Sequence, residues 1–123
     1  QRFLEAKKRF AVGSGDWAEA TAEAFNMLKM EECDDVAKPE WWSDEGLKAL
    51  SARVVRAAPG DASANRMRAI VLVGQSSDTW EAGPRSAAEL REAAAHYERA
   101  AALCPAPAAK ADLADTAAEC RSV

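Results

Sequence analysis

The sequence predicts an all-α protein of six helices, stacked as antiparallel hairpins with two long loops. Three observations carry that prediction. Alanine fills 30 of the 123 positions, while glycine (6), proline (5) and aromatic residues (7%) are sparse, a composition that favours helix over sheet. Apolar residues recur at spacings of three and four along most of the chain. Helix-start signals, Ser or Asp followed three residues later by Glu, punctuate these runs. A chain of this length buries about two-thirds of its unfolded surface in one core, so residues 1–123 are expected to form a single domain without metal or disulfide staples.

The first predicted helix covers 2–12, where Phe3, Ala6 and Phe10 share a face with Leu4 and Ala11 beside them; Gly13-Ser14-Gly15 ends it. Asp16 and Glu19 have capping-box spacing and open a second helix to about residue 32, with Trp17, Thr21, Ala24 and Leu28 on one stripe. The stretch 33–42 has no apolar period and forms the first long connection. Ser43 is the expected N-cap of a third helix, with Trp42 before the cap and Leu47 inside it as a hydrophobic staple. That helix continues through Leu50 and Val54 until Pro59-Gly60 stops it.

Asp61 caps a fourth helix carrying Ala64, Met67, Ile70 and Val71, which ends at Gly74. The second long loop, 75–85, contains Trp80 and Gly83-Pro84. Ser86-Ala87-Ala88-Glu89 is the clearest capping box and opens a fifth helix, with Leu90, Ala94, Tyr97 and Ala101 on one face, which must end before Pro105. Pro107 suits the first turn of a sixth helix in which Leu113, Ala117 and Cys120 recur. Short turns between the first and second, third and fourth, and fifth and sixth helices make each pair a hairpin.

Ala93, Tyr97, Ala100 and Pro105 follow the pattern A-x3-[F/Y]-x2-A-x4-P, which resembles the second helix of a tetratricopeptide repeat and its terminating proline. Gly15-Asp16-Trp17-Ala18-Glu19-Ala20 is similar to the turn inside such a repeat, and Pro59-Gly60-Asp61 with Asn65 and Gly74 to the junction into the next. The physical basis is interdigitation: alanines where helix backbones approach, one ring filling the adjacent hole. The pattern departs from the family in two ways. Pro59 and Pro105 lie 46 residues apart against a repeat of about 34, an excess matching the loop at 75–85. The hairpin count makes the fifth helix a first helix, whereas its motif makes it a second one. The third helix, between the two long connections, is the expected extra element.

The resemblance implies an inner groove lined by the first helix of each pair. This nominates Arg2, Glu5, Arg9 and Val12 on the first helix, and Asp61, Asn65, Arg68 and Val71 on the fourth. Members that clamp a peptide carboxylate use two asparagines with several basic residues; Asn65 matches one asparagine and Arg68 replaces the other. Trp41 and Trp80 fall on the long loops, where a tryptophan either anchors the loop in the core or contacts a partner.

Charge and motif content exclude several function classes. The net charge of −4 and pI near 5.1 exclude a strongly basic nucleic-acid binder. No apolar run approaches the ~20 residues that span a bilayer. Cys33, Cys104 and Cys120 form no C-x-x-C pair, and His96 completes no zinc spacing with them; this odd, unframed set points to a reducing intracellular compartment, cytoplasm or organelle interior. No metal or cofactor is expected. The chain opens on Gln1, so a piece of a longer protein is expected, with any targeting segment upstream.

His96 lacks a nucleophile partner and is expected to be a half-exposed helical residue. Glu31, Glu32, Asp34 and Asp35 form the densest charge cluster, a solvated loop or a dock for a basic segment or weakly held calcium. The expected function is therefore a non-catalytic protein-interaction module of tetratricopeptide-like type, with Arg2, Glu5, Arg9, Asn65, Arg68, Trp41 and Trp80 as candidate partner contacts. The alternatives are a structural accessory subunit held in a larger assembly and, behind it, a ligand-binding bundle or enzyme.

Overall fold

Local hydrogen bonds set the helix boundaries in the structure, a computed structural model that describes residues 13–28, 42–74, 80 and 83–121. The predicted helix at 2–12, most of the first long loop with its acidic cluster and Cys33, and residues 75–79 lie outside the described residues. Every regular element among those described is an α-helix: α1 (Gly15–Leu28), α2 (Asp44–Ala57), α3 (Ala62–Val73), α4 (Ala87–Leu103) and α5 (Pro107–Arg121). No helix among them is long and apolar enough to cross a membrane.

Three starts match the sequence signals. Ser43 accepts from Gly46 N, Asp61 from Ala64 N, and Ser86 and Glu89 form the complete capping box. The start of α1 differs. Gly13, at φ +91°, turns the chain two residues early, so Ser14 rather than Asp16 is the last non-helical residue. Ser14 Oγ accepts from Trp17 N at 3.1 Å. Asp16 thus lies in the first turn, where its charge favours the positive end of the helix dipole. Gly74 closes α3 in the left-handed conformation at φ +71°, its N–H bonded to Ile70 O.

One continuous apolar core runs from Trp17 to Cys120. α1, α2 and α3 pack against one another, α4 packs on α3, and α5 packs on α4. The most extensive packing joins α4 to both its neighbours. The α3–α4 pair therefore associates as closely as a hairpin, although a long connection separates the two helices. Alanine is the reason. Ala64, Ala69, Ala93, Ala94 and Ala100 are all fully buried, and a helix surface without bulky side chains lets its neighbour approach closely. Larger groups fill the wider space around α1 and α2. Phe25, Trp42 and Trp80 form a three-ring cluster with centroids 5.4 to 6.1 Å apart, and the Arg53 guanidinium covers the Trp17 ring at 5.5 Å.

Candidate partner-binding groove

The crossing of α3, α4 and α5 leaves a half-open groove of about 410 Å³ on one face. Helical periodicity builds its walls. On α3, Ser63, Arg66 and Ile70 fall one turn apart and face the groove; on α5, Ala109, Asp112, Leu113 and Thr116 do the same; α4 supplies Tyr97, and Cys104 follows just past its end. Ile70, Tyr97 and Leu113 make its apolar part, and Arg66 and Asp112 put opposite charges on opposite walls. Arg66 Nη1 donates to Asn26 Oδ1 at 3.0 Å, which ties that wall to α1. Thr116 turns its hydroxyl onto the Asp112 carbonyl at 2.9 Å. Burial pushes the Tyr97 phenol up to about 12, with the nearby Arg66 charge pulling weakly the other way, so Tyr97 keeps its proton and remains a donor.

The nominated residues occupy different ground. Asn65 is wholly inaccessible: its amide donates to Pro59 O at 3.1 Å and Asp61 O at 2.9 Å, and its Oδ1 lies 3.0 Å from His96 Nδ1. Arg68 donates to Lys48 O, Ser51 Oγ and Glu92, joining α2, α3 and α4. Val71 is in the core. Trp80, only 9% exposed, stacks in the three-ring cluster and donates its indole N–H to Asp44 at 3.2 Å, so it anchors its loop. Asn65 is therefore buried and Trp80 nearly so, and Arg68 spends its guanidinium on internal acceptors. Arg2, Glu5, Arg9, Val12 and Trp41 lie outside the described residues.

His96 is half-buried between Asn65 on α3 and Glu92 on its own helix, with Nε2 3.4 Å from the Glu92 carboxylate. Both ring nitrogens are engaged, Nδ1 by the Asn65 amide oxygen and Nε2 by the Glu92 carboxylate. Among the described residues no three His, Cys, Asp or Glu side chains gather as a metal would require, and Cys104 and Cys120 are free thiols.

Sequence reasoning did not single out two features. One is the groove pair Arg66 and Tyr97, of which Tyr97 was legible as an apolar-stripe residue and as the ring of the repeat-like motif, but not as a groove donor. The other is a clasp: Asp44, at the start of α2, accepts from Arg85, Gly83 N and Trp80. Arg85 in turn donates to Val71 O and Leu72 O at the end of α3. The guanidinium beside Asp44 holds that carboxyl well below the usual range. Comparison with protein-family models, with curated proteins and with solved structures found no match to this chain.

Proposed function

We propose that the chain is a non-catalytic protein-interaction module that lays a segment of a partner protein in the groove between α3 and α5. The observation that carries this reading is the groove itself, with an apolar floor, charged walls and a volume of about 410 Å³. The tetratricopeptide resemblance supports it. With α3 as a first helix, α4 as a second and α5 as the first of the next pair, Tyr97 of the Ala93-Tyr97-Ala100-Pro105 motif becomes the floor of an inner groove. The same register makes 2–12 and α1 a hairpin at the other end of a six-helix stack, with α2 as the extra helix. Leu103, 40% exposed, is the one large hydrophobic side chain exposed among the described residues, which favours a reversible binder over a subunit locked into an assembly. His96, engaged on both sides, supports a non-catalytic reading.

The test places a photo-crosslinking residue at Thr116, in the groove, or at Arg91, on the exposed side of α4, and irradiates each protein in an extract of the source cells. A protein adduct specific to position 116, lost on Leu113→Glu, is the expected result. Equal adducts at both positions, or none at 116, overturn the reading.

A further inference from the structure

The groove contains two hydrogen-bond donor groups whose capacity the fold leaves wholly or largely unused. Tyr97 is 8% exposed, and its hydroxyl has no hydrogen-bond partner among the described residues although it lines the groove. Its oxygen is not sealed off, since Thr21 Oγ1 alone among the described residues is a buried polar side-chain atom without a partner; the Tyr97 hydroxyl is open to the groove and free to donate there. Arg66 stands beside it. The other arginines withdrawn from solvent are matched to carboxylates, Arg68 to Glu92 and Arg85 to Asp44. Arg66 has no carboxylate among the described residues and spends one N–H on Asn26, leaving most of the five donors of its guanidinium fork. Donors of this kind, converging at the edge of an apolar floor, match a carboxylate.

The opposite wall carries the opposite charge. Asp112 forms no ion pair among the described residues, and it repels an acid placed on its own side. Ile70 on the Arg66 wall and Leu113 on the Asp112 wall give the groove its apolar surface. We propose that the groove selects an amphipathic helical segment of a partner protein. Its apolar stripe covers Ile70 and Leu113, an acidic side chain on one edge meets Arg66 and Tyr97, and a basic side chain on the other edge meets Asp112. This specificity rests on the groove-binding reading above.

The experiment selects binders to the full chain from a displayed library of helical peptides whose two ends are both embedded in the carrier. Enriched peptides are expected to carry Asp or Glu and Lys or Arg on opposite edges of an apolar stripe, and to lose binding on Leu113→Glu. Tyr97→Phe, which removes one hydroxyl, and Arg66→Gln should each weaken a selected peptide about tenfold, the value of one hydrogen bond to a charged group. Melting temperatures of both variants verify that the fold persists. The double variant Arg66→Glu with Asp112→Lys should prefer peptides with the two charges exchanged. Groove-bound peptides without an acidic residue, or indifferent to Tyr97→Phe, overturn this specificity and leave the groove reading standing. So does binding that appears only when a free carboxyl terminus is supplied. Absence of any binder sensitive to Leu113→Glu overturns the groove reading itself.

Discussion

Asn65 and His96 show how one buried amide can set the protonation of a neighbour. With both amide hydrogens given to the Pro59 and Asp61 carbonyls, Asn65 turns its oxygen to His96, and an oxygen only accepts. The imidazole therefore carries its proton on Nδ1 and leaves Nε2 to titrate. Burial pushes the His96 pKa below its ordinary 6.5; the Arg68 and Arg99 charges push the same way, and Glu92 opposes them. A depressed folded value means that folding favours the neutral ring. The associated stability is fully present above pH 6.5 and is lost as the pH falls through the lowered value. His96 is the single histidine of the chain, so one imidazole resonance reads the titration directly. We expect its midpoint below 6.5, and a urea midpoint that declines on mild acidification in the native protein but less in His96→Gln. A midpoint above 6.5 would contradict this account.

At the scale of the element, α4 is both the best-started helix and the hub of the packing. Ser86 Oγ accepts from Glu89 N at 3.1 Å, and Glu89 Oε1 accepts from Ser86 N at 3.0 Å. The second carboxylate oxygen meets Lys48 Nζ of α2 at 2.8 Å. Lys48, and after it the Ser86 amide, pull the Glu89 pKa down to about 2. One side chain thus caps its own helix and reaches a neighbouring one. Ser86→Ala should cost about 1 kcal/mol, the usual value of an N-cap, read from chemical denaturation with an unchanged m-value. α5 has a different character. Ala117 and Cys120 are buried and Leu113 is partly so, while most of its other residues are exposed; its place in the stack depends on that one edge.

For the molecule as a whole, the Asp44–Arg85 clasp holds the second long connection to the helical body. Arg85, with a side chain 7% exposed, bonds the Val71 and Leu72 carbonyls that the end of α3 would otherwise leave open, and the carboxylate at the start of α2. An anion at a helix N-terminus and a cation at a helix C-terminus each suit the local dipole. Asp44 also holds Gly83 N and the Trp80 indole, so this one carboxylate ties down Trp80, Gly83 and Arg85 among the described residues of that connection. Arg85→Met removes the cation and strands Asp44. We expect a loss of about 3 kcal/mol and a melting temperature lower by roughly 10 °C, with a change in tryptophan near-ultraviolet circular dichroism as Trp80 leaves its cluster. An unaltered tryptophan signal would show that the ring cluster, not the clasp, anchors the loop.

The features that could be read from the sequence are those whose physics is local. Ser43, Asp61 and the Ser86–Glu89 box each satisfy a backbone group three residues away, and Gly74 ends α3 because it tolerates a positive φ. Residue type and short spacing were therefore enough to determine an all-α chain with these helix boundaries. Even here a single residue could shift the answer: Gly13 moved the start of α1 from Asp16 to Ser14. Tertiary structure decided which polar groups lie inside and which surface stays open. Asp44 and Arg85 are 41 residues apart and Asn65 and His96 are 31 apart, and no periodicity announces such pairs. Asn65 and Trp80 had the composition of contact residues and became interior fastenings, because burial depends on how closely distant helices approach. The alanines of α3 and α4 set that approach, and the same close crossing, continued by α5, left Arg66 and Tyr97 at the edge of a groove that no one helix contains.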